Sequence, residues 1–146
     1  MKHSILVLFI VLSALCFGVL IYATTRTDAL YLNQWTSHLS GGALKEFFQP
    51  FLSTISIPQW IIYSLPDGLW MLALMMLMML IWNFKLHHKS LPWLAGAFMT
   101  GILFETAQGL HWISGTFDIN DIYCLCLGAL LPILFTLLKP CVCKTA

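Results

Sequence analysis

From Ser4 to Ala23 the chain carries no Asp, Glu, Lys or Arg for 20 residues. At about 1.5 Å of helical rise per residue, such a run reaches across the roughly 30 Å hydrocarbon layer of a bilayer. It therefore predicts a membrane-spanning helix over residues 4–23. The rival is a cleaved leader starting at Lys2, but Ile21 is too bulky for a small-residue cut near Ala23, and Leu15 is equally unsuited to a lipoprotein-type cut before Cys16. The run is expected to stay as an anchor.

Three further apolar segments follow. Residues 60–82 lie between Trp60 and Trp82, a residue type that favours membrane interfaces, and are interrupted by Pro66, Asp67 and Gly68. Residues 91–111 stay apolar through Phe104 and then continue with Glu105, Thr106, Ala107 and Gln108. Residues 122–138 form the last, short but sufficient. The expected fold is all-α: one domain over residues 1–146, a four-helix transmembrane bundle. The connection 24–59 forms an outer loop, and its mixture of charged and aromatic residues suits a short interfacial helix.

Composition narrows the function classes. Only 9% of residues are charged, against about 25% in soluble domains, and seven Lys plus Arg against six Asp plus Glu leave a net charge of +1. No basic field exists to hold nucleic acid, and 60% hydrophobic content excludes intrinsic disorder. The first partner is the lipid bilayer. Among the cations Lys2, Lys85, Lys89, Lys139 and Lys144 fall at one face, which the positive-inside rule makes cytoplasmic; Arg26 and Lys45 are the exceptions. Both termini are then cytoplasmic, and Asp28, Glu46, Asp67, Glu105, Asp118 and Asp121 all fall toward the outer side.

Depth groups several of these acids. Asp67 and Glu105 each lie seven residues from a tryptophan, Trp60 and Trp112, or about 10 Å inward by helical rise. Gln108 follows Glu105 at i, i+3, and Asp118 and Asp121 are three apart at the start of the last segment. A carboxylate cluster drawn from three helices is the main functional expectation, because charged groups at that depth are costly unless paired or wetted. As a catalytic set it comprises Glu105, the acid or base, with Asp118 and Asp121 to orient a substrate. Asp67, Gln108, His111 and Arg26 are expected to bind that substrate. The plainer reading makes Asp67 and Asp121 helix-start residues favoured by the dipole and Asp118 a solvated loop residue. Glu105 resists it, since a helix C-terminus disfavours negative charge.

The stretch Glu105, Thr106, Ala107, Gln108, then Gly115, Thr116, Phe117, Asp118, Ile119, Asn120, Asp121 and Gly128 resembles the C-terminal signature of VanZ-like membrane proteins. The likeness covers about 24 of 146 residues. Thr116 stands where that family usually has Arg and Leu125 where it has Asn, and Gly68 to Met71 replace a Lys and His after the aspartate. The resemblance implies a bacterial inner-membrane protein linked to the cell envelope and to glycopeptide resistance of the teicoplanin type. The outward acidic cluster, in such an envelope setting, is expected to take a lipid-linked cell-wall precursor or a phospholipid headgroup as substrate.

Other chemistry finds little support. The C-x-C pairs at 124–126 and 141–143 lack metal-site spacing, and residues i and i+2 of a helix diverge by about 200°. The methionine-rich run 71–80 reads as helix core or lipid-facing surface. His87 and His88 read as solvated, whereas His38 and His111 lie on the acids' side. Ser114 lacks a G-x-S-x-G elbow, and no phosphate loop occurs. No cofactor and no metal are expected. Two function classes stay open: a site that binds or modifies an envelope substrate, and a non-catalytic subunit or modulator whose polar cluster holds helices together or contacts a membrane-protein partner.

Overall fold

The structure, a computed structural model, describes residues 2–25, 38, 43–54, 56–113 and 115–138. Among them all regular structure is helical: α1 (Lys2–Thr25), α2 (Ala43–Thr54), α3 (Gln59–Tyr63), α4 (Leu65–Ile81), α5 (Leu91–Gly109) and α6 (Ile119–Leu138). Two stretches, Ser4–Thr25 and Ile119–Leu138, are helical, long enough and apolar enough to cross a membrane. Helix α4 is as apolar but has 17 residues, and α5 gives its last turn to Glu105, Thr106 and Gln108. At the end of α1 the hydroxyls of Thr24 and Thr25 donate to the carbonyls of Leu20 and Ile21, at 2.8 and 2.6 Å, which satisfies them without water.

Helix α4 is the hub. One side of it, Ala73 and Met76, packs on Val7, Val11 and Ala14 of α1. The other, Met71, Met75 and Met79, recurs every four residues and meets Leu94 of α5 and Leu125 and Ala129 of α6. The methionine run is thus core, where unbranched thioethers fill irregular gaps between helices. Helices α1 and α5 run antiparallel to α4, while α6 runs parallel to it. Gly18 accordingly meets Trp70 and Gly101 meets Met71, whereas Gly68 faces Cys124 and Leu72 faces Gly128. The starts of α4 and α6 and the ends of α1 and α5 share one end of the molecule. The start of α1, the 82–90 turn and the end of α6 share the other.

The expected segment 60–82 is divided. Helix α3 ends at Tyr63, and α4 begins afresh at Leu65 with Pro66 in its first turn. Pro66 has no N–H to give the Ile62 carbonyl, and its ring crowds that position, so a single helix is interrupted here. Ser64 occupies the joint, fully buried, with an Oγ that has no hydrogen-bond partner. Desolvating an unpaired hydroxyl costs about 1–3 kcal/mol. Ser64→Ala is therefore expected to raise the melting temperature of the detergent-solubilised chain by a few degrees. A lower melting temperature would mean that the hydroxyl is held by a partner.

At the opposite end Asn83 and Phe84 adopt φ of 51° and 55°, and the Phe84 N–H donates to the Met79 carbonyl at 2.7 Å, closing α4. The buried Ser90 hydroxyl accepts the His87 N–H at 3.0 Å and lies 3.0 Å from the Lys85 carbonyl. His87 is not simply solvated. It is half-buried, edge-on to Trp82, and its Nδ1 accepts the Lys89 N–H.

Candidate functional site

Helices α4 and α6 approach backbone to backbone. A Cβ on Gly128 would collide with the Gly68 carbonyl oxygen and lie 3.1 Å from the Leu72 nitrogen, and a Cβ on Gly68 would lie 2.8 Å from the Cys124 carbonyl oxygen. Because the two helices are parallel and begin at the same end, this contact sets their first turns side by side. Asp67 is in the first turn of α4 and Asp121 in the first turn of α6. Glu105 arrives from the opposite direction, four residues before the end of α5. One carboxylate oxygen from each of Asp67, Glu105 and Asp121 can be chosen so that all three lie within 4.8 Å of one another.

Burial makes the grouping unusual. Glu105 is 6% exposed and Asp121 8%, with Asp67 half-buried. The Glu105 Oε2 is buried and has no hydrogen-bond partner. Asp67 and Asp121 face the positive ends of their helix dipoles, whereas Glu105 sits toward the negative end of its own. Two like charges about 4 Å apart repel by roughly 1 kcal/mol in bulk water and roughly 4 kcal/mol near a protein surface. Carboxylates grouped this closely suit a cation, or donors supplied by a ligand, among them.

The acids open on a cavity of about 640 Å³, whose wall includes Tyr22, Tyr63, Trp70, Phe104, Gln108, Thr116 and Asp118. None of the described residues lining it is Lys, Arg or His. A second cleft of about 310 Å³ shares Asp67, Trp70, Phe104, Glu105 and Gln108 with it and continues between α4 and α5 past Met71, Leu74, Ala97 and Leu125. A polar chamber thus adjoins an apolar slot. Gly115 closes the chamber at φ +149°, where a Cβ would lie 2.5 Å from the Gln108 Cδ; the glycine lets the amide lie against the backbone.

The remaining site candidates divide. Asp118 lines the cavity, but its Oδ1 accepts the Asn120 N–H and side-chain amide, both at 2.9 Å, so it caps the start of α6. It stands just before α6 and Asp121 in its first turn, and both line the cavity. His111 is exposed at φ +57° in the turn that closes α5 and is not among the cavity's lining residues. Arg26 lies outside the described residues, as do Ser114, Cys141 and Cys143. Cys124 is buried at the α4–α6 contact and Cys126 is half-buried.

Sequence reasoning missed the aromatic wall. Tyr63 and Trp70 stand at i−4 and i+3 from Asp67, a spacing that could have marked them. Tyr22 had no such signal, since α1 is apolar all round; its ring stacks on Trp70 with centroids 6.1 Å apart. No family model, curated protein or solved structure matches the chain.

Proposed function

We propose that the chain is a small multi-pass protein of the bacterial inner membrane, with both termini cytoplasmic, whose outward-facing carboxylate chamber binds the headgroup of an envelope amphiphile. The observation that carries this reading is that the acidic chamber and the apolar slot along α4 and α5 adjoin, with five residues lining both. An amphiphile has that shape: hydroxyl or ammonium donors on one end would meet Asp67, Glu105, Asp121 and Gln108, and an acyl or prenyl chain would fill the slot. The cation asymmetry of the termini and the 82–90 turn supports the orientation. The likeness of residues 105–128 to VanZ-like proteins supports the envelope setting, with a lipid-linked cell-wall precursor and a phospholipid as the two sources of such a headgroup. If a reaction occurs there, Glu105 is the group placed to exchange a proton with the substrate, and Asp121 to orient it.

Two experiments test the reading. Thr116→Cys, in a background without the five native cysteines, is expected to react with a membrane-impermeant thiol reagent in intact cells. Labelling only after the membrane is opened would reverse the orientation. The purified full chain, with Mg²⁺ and Ca²⁺ present, is expected to retain either a lipid-linked disaccharide or phosphatidylethanolamine in native mass spectrometry. Affinity should fall at least tenfold in Asp121→Asn. Wild-type retention by that variant, or retention of neither amphiphile, leaves the subunit or modulator reading in its place.

A further inference from the structure

We infer that Asp67, Glu105 and Asp121 form a binding site for one hard divalent cation. The inference deepens the headgroup reading, because such an ion would join the acidic chamber to a phosphate. Three observations converge on it. The three carboxylates come from three helices and offer oxygens mutually within 4.8 Å. Calcium–oxygen distances of about 2.3–2.6 Å let oxygens on one ion lie up to about 5.2 Å apart, so the three carboxylates are near enough to share one.

The second observation is the Glu105 Oε2. It is buried on a residue 6% exposed, lies at the helix end that repels it, and has no hydrogen-bond partner. A buried carboxylate oxygen normally has donors; an ion would supply the missing interaction and offset the repulsion from the other two acids. The third is the lining itself, which holds no basic side chain among the described residues. All-oxygen, all-carboxylate ligation selects hard ions over Zn²⁺ or Cu⁺, which favour nitrogen and sulfur.

Three carboxylates leave coordination positions open on an ion that takes six to eight oxygens. The three carboxylates line the cavity, where Gln108 and Thr116 also stand. Phosphate oxygens of an amphiphile could fill the open positions. The acidic chamber would then attract an anionic headgroup that its own charge repels.

The test uses Mn²⁺ alone as the probe, on the full chain purified in detergent, stripped with EDTA and given no amphiphile. Electron paramagnetic resonance is expected to show one saturable Mn²⁺ per chain, displaced by excess Ca²⁺. Affinity should fall at least tenfold in Glu105→Gln and in Asp121→Asn, and stay unchanged in Glu46→Gln, an exposed acid on α2. If those variants do not fold, the wild type decides: Ca²⁺ is expected to raise its melting temperature and EDTA to reverse the rise. Absence of saturable Mn²⁺ binding, equal affinity in folded variants, or no Ca²⁺ shift overturns the site. Amphiphile retention measured again in EDTA separates the two readings. Retention without Mn²⁺ binding removes the cation site alone, and Mn²⁺ binding without any amphiphile removes the headgroup reading alone.

Discussion

Gly128→Ala is expected to unfold or disperse the chain, whereas Gly96→Ala leaves it intact. The two changes add the same methyl group to a helix. At Gly96 nothing lies within 4 Å of the new atom, and the helix gains the roughly 1 kcal/mol by which alanine exceeds glycine in propensity. At Gly128 the new atom meets the Gly68 carbonyl oxygen and the Leu72 nitrogen, both backbone. Backbone cannot rotate away as a side chain can, so α4 and α6 must move apart along their whole contact. Overpacking that side chains absorb costs about 1–3 kcal/mol, and here the cost should exceed that range. Size-exclusion profiles and thermal melts of the detergent-solubilised variants check it. A Gly128→Ala protein as stable as wild type would mean that the two helices do not approach this closely.

The same contact explains how much of the site is legible in the sequence. The grouping was readable: of the carboxylates expected together from three helices, Asp67, Glu105 and Asp121 do place oxygens within 4.8 Å of one another, although the count from Trp60 does not run along one helix, since α3 ends at Tyr63. Helix existence was readable from the charge-free runs, and α1 and α6 extend the expected 4–23 and 122–138 by only a few residues. Rotation was not. A helix apolar on all sides, such as α1, has no stripe to say which side faces a neighbour. The small residues Gly68 and Gly128 were visible, but only packing reveals that they face each other. Asp118 and Asp121 were both expected to orient a substrate, and their roles separate because Asp118 accepts the Asn120 N–H just before the helix while Asp121 is buried in its first turn. The break at Ser64 follows from Pro66, a signal present in the sequence but compatible with a kink as well as a new helix.

The sign of the Glu105→Gln effect is expected to depend on the metal in the buffer. In EDTA the variant should melt higher than wild type. It removes one of three clustered carboxylates, and removes it from the helix end where the dipole opposes negative charge. Two like charges at this range interact by about 1–4 kcal/mol, and each kcal/mol moves the melting temperature of a chain this size by roughly 2–4 °C. In Ca²⁺ the order should invert, since wild type gains an ion that binds only its folded form and the variant has lost a ligand. A merely structural glutamate gives a different pattern. If the Glu105 carboxylate were held by a cation from the chain itself, with Arg26 the first to ask, the variant would melt lower in both buffers, because the partner would be left buried and uncompensated. Melting wild type and variant in EDTA and in Ca²⁺ therefore distinguishes a cluster that awaits a cation from one that is already neutralised.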